Sequence, residues 1–234
     1  MAAGLFVTGT DTGVGKTVVS RLIVRSLATA GVRVAVMKPV AAGSVMTGQG
    51  ARSEDALGLI ADSNVEMPYE VVNPYCLDAP VAPHLAARAL GITVELPRIQ
   101  HHFSALAAAA DYVIVEGAGG WLAPLNECEC VADLAVALNL PVLLVVGLRL
   151  GCLNHALLTV AAVRQRRLHL AAWIGNQIDP DFAYMKENLL TLEQHIGMAP
   201  IATVAHDRAR GAQGRLPATA VAALVQAAAC NRLT

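Results

Sequence analysis

The chain's 234 residues leave room for one large domain or two small ones, and 55% apolar against 15% charged residues excludes intrinsic disorder. Seventeen basic and eighteen acidic residues give a formal net charge of −1, and no basic cluster suits a phosphate backbone, so a nucleic-acid partner is not expected. Much of the apolar excess is alanine, and no uncharged run reaches the length of about 18 residues that spans a bilayer. The longest runs, 134–148 and 216–231, are broken by Asn139 and Pro141, and by Pro217 and Gln226. A soluble chain with no membrane partner is the expectation. Five cysteines (Cys76, Cys128, Cys130, Cys152 and Cys230) lack any C-x-x-C spacing, which argues against a disulfide scaffold or a structural zinc. Met1 leads into an apolar strand without a basic leader, so a reduced, cytoplasmic protein is expected.

Short apolar runs recur along the chain, each followed by a glycine-bearing turn and a helical pattern. Residues 5–7 read as a strand that enters a glycine-rich turn and a helix over 16–30. A second strand covers 32–37. Residues 39–50 read as a loop over a site, and 69–83, with Pro74, Pro80 and Pro83, as an ordered irregular loop before a helix opening near His84. Residues 112–115 form a third strand, ending in Glu116-Gly117-Ala118-Gly119-Gly120. Residues 141–146 form a fourth, followed by Gly147 and a helix over 154–166 with Asn154 as its N-cap. Residues 170–174 and 200–204 supply a fifth and a sixth. Strands apolar throughout must be covered on both faces. The prediction is an α/β fold in one domain over 1–234: a mostly parallel sheet of six or seven strands with helices on both faces.

The strongest chemical signal is Gly9-Thr10-Asp11-Thr12-Gly13-Val14-Gly15-Lys16-Thr17, between the first strand and the first helix. Glycines let backbone N–H groups wrap an anion, the helix N-terminus favours it, and Lys16 adds a full charge. Thr17 then offers a hydroxyl to a phosphate-bound magnesium. The strict pattern G-x-x-x-x-G-K-S/T has glycine where Thr10 stands. Glu116, at the carboxyl end of a strand, is a candidate magnesium carboxylate. Asp55 is either a second one or an acidic residue of a helix first turn. Lys38 is either a solvated strand-end charge or a cation facing the terminal phosphate. His155 reads as a capping or packing residue, His101 and His102 as surface residues, and Trp121 and Trp173 as packing residues. The residues thus point to a P-loop NTPase-like, magnesium-dependent enzyme, without naming its substrate.

Four segments, GTDTGVGKT from Gly9, KPVAAGS from Lys38, VEGAGGW from Val115 and VVGLRLGCLNHALLT from Val145, together resemble the dethiobiotin synthetase family. NPYCLDAPVAPHLAA from Asn73 and WIGNQIDP from Trp173 support the resemblance, which covers residues 1–180 and includes Thr10 in the glycine position. It implies an ATP-dependent cyclo-ligase that joins carbon dioxide to 7,8-diaminononanoate. One amine becomes a carbamate, ATP phosphorylates it, and the second amine closes the ureido ring. The resemblance implies that Lys38 and Lys16 are catalytic and that Thr17, Asp55 and Glu116 hold Mg2+. Thr12, Gly13, Val14, Gly15, Lys16, Thr17 and Val18 would wrap the phosphates of ATP, the co-substrate. Gly117, Ala118 and Gly119 would line the nucleotide and substrate, with Asn176 and Gln177 reading the adenine edge. Lys38, Ala42, Gly119, Gly151, Cys152 and Asn154 would meet the substrate, the last three where a homodimer brings the second subunit close.

Three departures from the family pattern stand out. Ala42 replaces a frequent serine, Arg149 replaces a common lysine, and the family's proline-containing loop is not recognisable over 202–210. A helix apolar at Ala156, Leu157, Leu158, Val160, Ala161, Ala162 and Val163 also predicts that part of it packs on a two-fold partner. Two other functions fit the phosphate loop. A partitioning ATPase of the deviant phosphate-loop group would carry a lysine where Asp11 stands, and a cobyrinate-type amide ligase would need a glutamine-hydrolysing region with a nucleophilic cysteine.

Overall fold

A computed structural model describes residues 3–206 and 214–230. In chain order these form β1 (Ala3–Gly9), α1 (Lys16–Thr29), β2 (Val34–Met37), β3 (Val40–Ala42), β4 (Val45–Thr47), β5 (Gly50–Arg52), α2 (Glu54–Asp62), α3 (Tyr69–Val72), β6 (Tyr75–Leu77) and α4 (Pro83–Ala89). Then come α5 (Leu96–Ala109), β7 (Tyr112–Glu116), α6 (Val131–Leu138), β8 (Val142–Leu148), α7 (Cys152–Gln165), β9 (Leu170–Gln177), α8 (Met185–Ile196), β10 (Ala202–Val204) and α9 (Ala218–Cys230).

The six apolar runs become one parallel sheet in the order β10-β9-β8-β1-β7-β2. β2, β7 and β8 are buried at every position, which is possible only with helices on both faces. Right-handed crossovers put α1 on one face, because β1 to β2 runs one way across the sheet. The later connections all run the other way and place α5, α6, α7 and α8 on the opposite face. α9 returns to the first face beside α1 and β1. The strand order reverses beside β1, and the crevice at the carboxyl ends of β1, β7 and β2 is where such sheets take ligands. The unpaired edge of the sheet at β2 is blunted by side chains. Asn64 Oδ1 accepts the Val34 N–H at 2.7 Å, and Ser63 Oγ donates to the Val34 carbonyl at 2.8 Å.

Residues 39–50 are not wholly loop, and residues 69–83 are not wholly irregular. β3 pairs in parallel with β6 in a second small sheet, and β4 and β5 form a short hairpin. Three-residue strands, of which β3 and β6 start directly after Pro39 and Pro74, are too short to show a period. α7 opens earlier than expected: Gly151, at φ 93°, is its N-cap and Asn154 lies within the first turn. No helix among the described residues is long and apolar enough to cross a membrane. Of the segment 202–210, residues 207–210 lie outside the described residues.

Both tryptophans pack as expected. Trp121 meets Phe6 edge-on, with ring centroids 6.4 Å apart. Trp173 is fully buried on β9 and donates Nε1–H to the Met198 carbonyl at 2.9 Å. Trp173→Ala should therefore lower the unfolding free energy by about 3–5 kcal/mol in urea titration. A loss below about 1 kcal/mol would contradict this packing.

Candidate active site

The turn after β1 is shaped by glycines that adopt left-handed backbone: Gly13 at φ 75° and Gly15 at φ 85°. A Cβ on Gly15 would meet Asn176 Nδ2 at 2.1 Å, so two independent constraints require glycine there. The same Asn176 amide donates to the Val14 carbonyl at 2.8 Å and fastens the loop to β9. Thr10 fastens it to β8: its N–H reaches the Val145 carbonyl at 3.0 Å, and its hydroxyl accepts from Gly147 N–H at 3.5 Å. Asp11 is the hub of the turn. Its carboxylate caps the Thr12 N–H at 2.7 Å and pairs with Arg149 at 2.9 Å, while its carbonyl accepts Lys16 Nζ at 3.0 Å. The Arg149 departure thus has a structural role on the phosphate loop.

Four side chains from separate elements converge beside this loop. Thr17, in the first turn of α1, lies with its hydroxyl 2.8 Å from Asp55 Oδ1 and 2.9 Å from Glu116 Oε1. Lys38, just after β2, places Nζ 2.5 Å from Glu116 Oε1 and 3.0 Å from Asp55 Oδ2. Glu116 ends β7, the neighbour of β2, and is 0% exposed, while Lys38 is 4% exposed. Burial alone would lower the Lys38 pKa, but the Glu116 and Asp55 carboxylates outweigh it and hold the ammonium above the ordinary lysine value. Burial would likewise raise Asp55, and the adjacent Lys38 charge reverses this, keeping the carboxyl below its usual range. Among the described residues Lys16 has no such carboxylate contact. Burial, then repulsion from Lys38, lowers it to about 8.

The hydroxyl and two carboxylates form an all-oxygen donor set of the kind that takes magnesium together with phosphate. One further observation fits a cation: Glu116 Oε2 is buried without a hydrogen-bond partner among the described residues. Asp55 sits in the first turn of α2, behind the N-cap Ser53, and also joins this cluster.

A cleft of about 710 Å³ opens over the cluster. Of the sequence-derived residues, Thr12, Gly13, Gly15, Lys16, Thr17, Lys38, Ala42, Asp55, Glu116, Ala118 and Gly119 line it. Val14 is core, Val18 points partly to solvent, and Gly117 lies against Phe6 and Val131. Asn176 and Gln177 stand at the end of β9, where Gln177 Oε1 accepts the His206 N–H at 3.3 Å. Gly151, Cys152 and Asn154 are not part of the lining, and Cys152 is buried in the core at the base of α7. The wall missed by sequence reasoning is Pro80–Pro83, whose proline spacing was the available signal. The apolar excess of α7 divides in two. Cys152, Ala156, Val160 and Val163 face the core, while Leu158 is 62% exposed and Leu150, just before the helix, 91% exposed.

A family described as an AAA domain matches residues 3–213. Over 193 residues the chain is 50% identical to the ATP-dependent dethiobiotin synthetase BioD of Xanthomonas euvesicatoria pv. vesicatoria (strain 85-10), covering 82% of this chain and 86% of that protein. Over 208 residues it is 48% identical to the protein of the same name from Nitrosospira multiformis, covering 89% and 90%. The fold is similar to that of a ParA family ATPase from Chlorobium tepidum TLS, with a TM-score of 0.57 at 13% identity over 100% of this chain and 93% of that one. It is similar also to the MinD cell division protein of Aquifex aeolicus, with a TM-score of 0.56 at 15% identity over 100% and 98%. Such distant likeness speaks to fold alone, whereas identity near one half over most of both chains speaks to family. The chain belongs to the ATP-dependent dethiobiotin synthetase family.

Proposed function

We propose that this chain is a dethiobiotin synthetase: a cyclo-ligase that converts 7,8-diaminononanoate, carbon dioxide and ATP to dethiobiotin, ADP and phosphate. The observation that carries the reading is two buried lysines, Lys16 and Lys38, facing one cleft beside a Thr17–Asp55–Glu116 oxygen cluster. Two cations that repel each other across a cleft are a site for a polyanion, because an anion between them relieves the repulsion. The phosphate loop and Lys16 bind the nucleotide from one side. Thr17, Asp55 and Glu116 would hold Mg2+, which neutralises phosphate charge when bound.

Lys38 has the demanding role. A carbamate oxygen must attack the terminal phosphorus of ATP and displace ADP, which brings two anions to about 3 Å. An ammonium placed between them, held charged by Glu116 and Asp55, lowers that repulsion most as the transition state forms. The second amine then attacks the carbamoyl carbon, and phosphate leaves with the bonding electrons. Ala42 and Gly119 line the substrate end of the cleft. Asn176 and Gln177 read the adenine. The protein works as a cytoplasmic homodimer in which exposed Gly151 and Asn154 approach the partner's pocket, with Cys152 behind them in the core. Exposed Leu150 and Leu158 support such a contact.

The alternatives have less support. A partitioning ATPase shares the fold, but Asp11, where such a switch has lysine, is an acid paired with Arg149. An amide ligase needs a nucleophilic thiol, and burial pushes the Cys152 thiol up, away from its reactive form.

Purified protein given ATP, magnesium, bicarbonate and 7,8-diaminononanoate should release phosphate only when the diamine is present. Diamine-independent release alone would contradict the reading. Lys38→Ala and Lys38→Gln should each lower kcat about a hundredfold, on the order of 3 kcal/mol, with little change in the KM for ATP. Near-normal kcat with a raised KM would make Lys38 a binding residue. Lys16, lowered to about 8, loses its charge as pH rises through that value, and triphosphate binds the charged form. ATP affinity, measured without the diamine, should therefore be flat below that pH and weaken about tenfold per unit above it. A flat profile from pH 7 to about pH 9.5 would contradict the lowered Lys16 pKa.

A further inference from the structure

Behind the cleft, a line of hydrogen bonds that the chemistry above does not use joins the helix bearing Asp55 to the strand end bearing Lys38. Its centre is Tyr69, the first residue of α3. The Tyr69 hydroxyl accepts the backbone N–H of Ser53, the N-cap of α2, at 2.7 Å, and donates to Asn73 Oδ1 at 2.8 Å. Asn73 Nδ2 in turn donates to the Lys38 carbonyl at 2.6 Å and to the Tyr75 carbonyl at 3.3 Å. The Lys38 N–H completes the bracket on the Val72 carbonyl at 2.9 Å. Ser53 and Asn73 are 4% and 3% exposed, so water offers these bonds little competition. The Arg52 guanidinium lies 4.1 Å above the Tyr69 ring and fixes its plane. Burial also raises the Tyr69 pKa, which keeps the hydroxyl a donor.

Between Lys38 and Asp55 the chain makes the β4–β5 hairpin, whose first strand is exposed along its length. That excursion cannot fix the spacing of the two side chains. α2 is instead tied to β2 at both ends, by Ser63 and Asn64 at Val34 and by Tyr69 and Asn73 at Lys38.

We propose that Tyr69 and Asn73 are positioning residues that set the Asp55 carboxylate against the Lys38 ammonium. Tyr69 orients the carboxylate through the N-cap of its helix, and Asn73 orients the lysine through its carbonyl. This rests on the functional reading above, in which Asp55 holds magnesium and Lys38 serves phosphoryl transfer.

Tyr69→Phe keeps the ring and its Arg52 contact while removing the hydroxyl. Its test is ATP binding with and without magnesium, the diamine absent, alongside kcat and thermal unfolding. The expected result is about a tenfold smaller gain in ATP affinity from magnesium with metal-free affinity unmoved, while the melting midpoint falls by a few degrees at most, about 2–4 °C per kcal/mol, because the buried Ser53 N–H loses its acceptor. Asn73→Asp keeps the acceptor for Tyr69 and loses the donor to Lys38, so it should lower kcat while leaving the magnesium gain intact. Cys76→Ala, which removes a thiol 3.5 Å from the Tyr69 hydroxyl, should match the wild type in all readouts. An unchanged magnesium gain in Tyr69→Phe overturns the inference. So does an equal loss in metal-free and magnesium-bound affinity, since a structural role would lower both together. Absence of diamine-dependent turnover in the wild type would instead overturn the functional reading.

Discussion

Two charges almost out of contact with water, the Lys38 ammonium and the Glu116 carboxylate, lie 2.5 Å apart where the adjacent strands β2 and β7 end. Desolvating each costs several kcal/mol, which their attraction offsets only when the geometry is good and neighbours complete the hydrogen bonding. The surrounding structure supplies that geometry. The parallel register of β2 on β7 brings the strand ends together, Thr17 and Asp55 complete the cluster, and the β2 edge is held by α2. A hydrophobic pair would be the cheaper way to fill such a corner, so retention of the ions has its explanation in chemistry rather than stability.

The second lysine shows the opposite balance. Lys16 is almost as buried as Lys38 but bonds a carbonyl instead of a carboxylate, and its pKa falls while that of Lys38 rises. One cation is thus paired by the protein's own carboxylates, and the other is left to find its counter-charge in an anionic ligand. That asymmetry suits a nucleotide arriving at the phosphate loop and a second anion arriving at Lys38.

The sheet was legible in the sequence because a strand covered on both faces is an uninterrupted apolar run. β3 and β6 were not legible, since three residues beside a proline carry no period. Lys16, Thr17 and Glu116 were legible as the loop signature and a strand terminus. Asp55 is ambiguous in the sequence because its contact with Thr17, 38 positions away, exists only in the fold. Long-range polar pairs left no trace: Asp11 with Arg149, separated by 138 residues, and the line through Tyr69 and Asn73 join residues whose individual identities are unremarkable. The wall at Pro80–Pro83 announced itself by its prolines, but its position over the cleft depends on tertiary packing.

The chain contains only three lysines, Lys16, Lys38 and Lys186, so their ε-ammonium groups can be followed individually by nuclear magnetic resonance of lysine-labelled protein. The central claim is that Glu116 and Asp55 hold Lys38 charged despite its burial. It predicts that one resonance titrates above the ordinary lysine value, disappears in Lys38→Gln, and moves to lower pH in Glu116→Gln as burial takes over. A Lys38 resonance that titrates below the ordinary value in the wild type, or that does not respond to Glu116→Gln, would contradict the account.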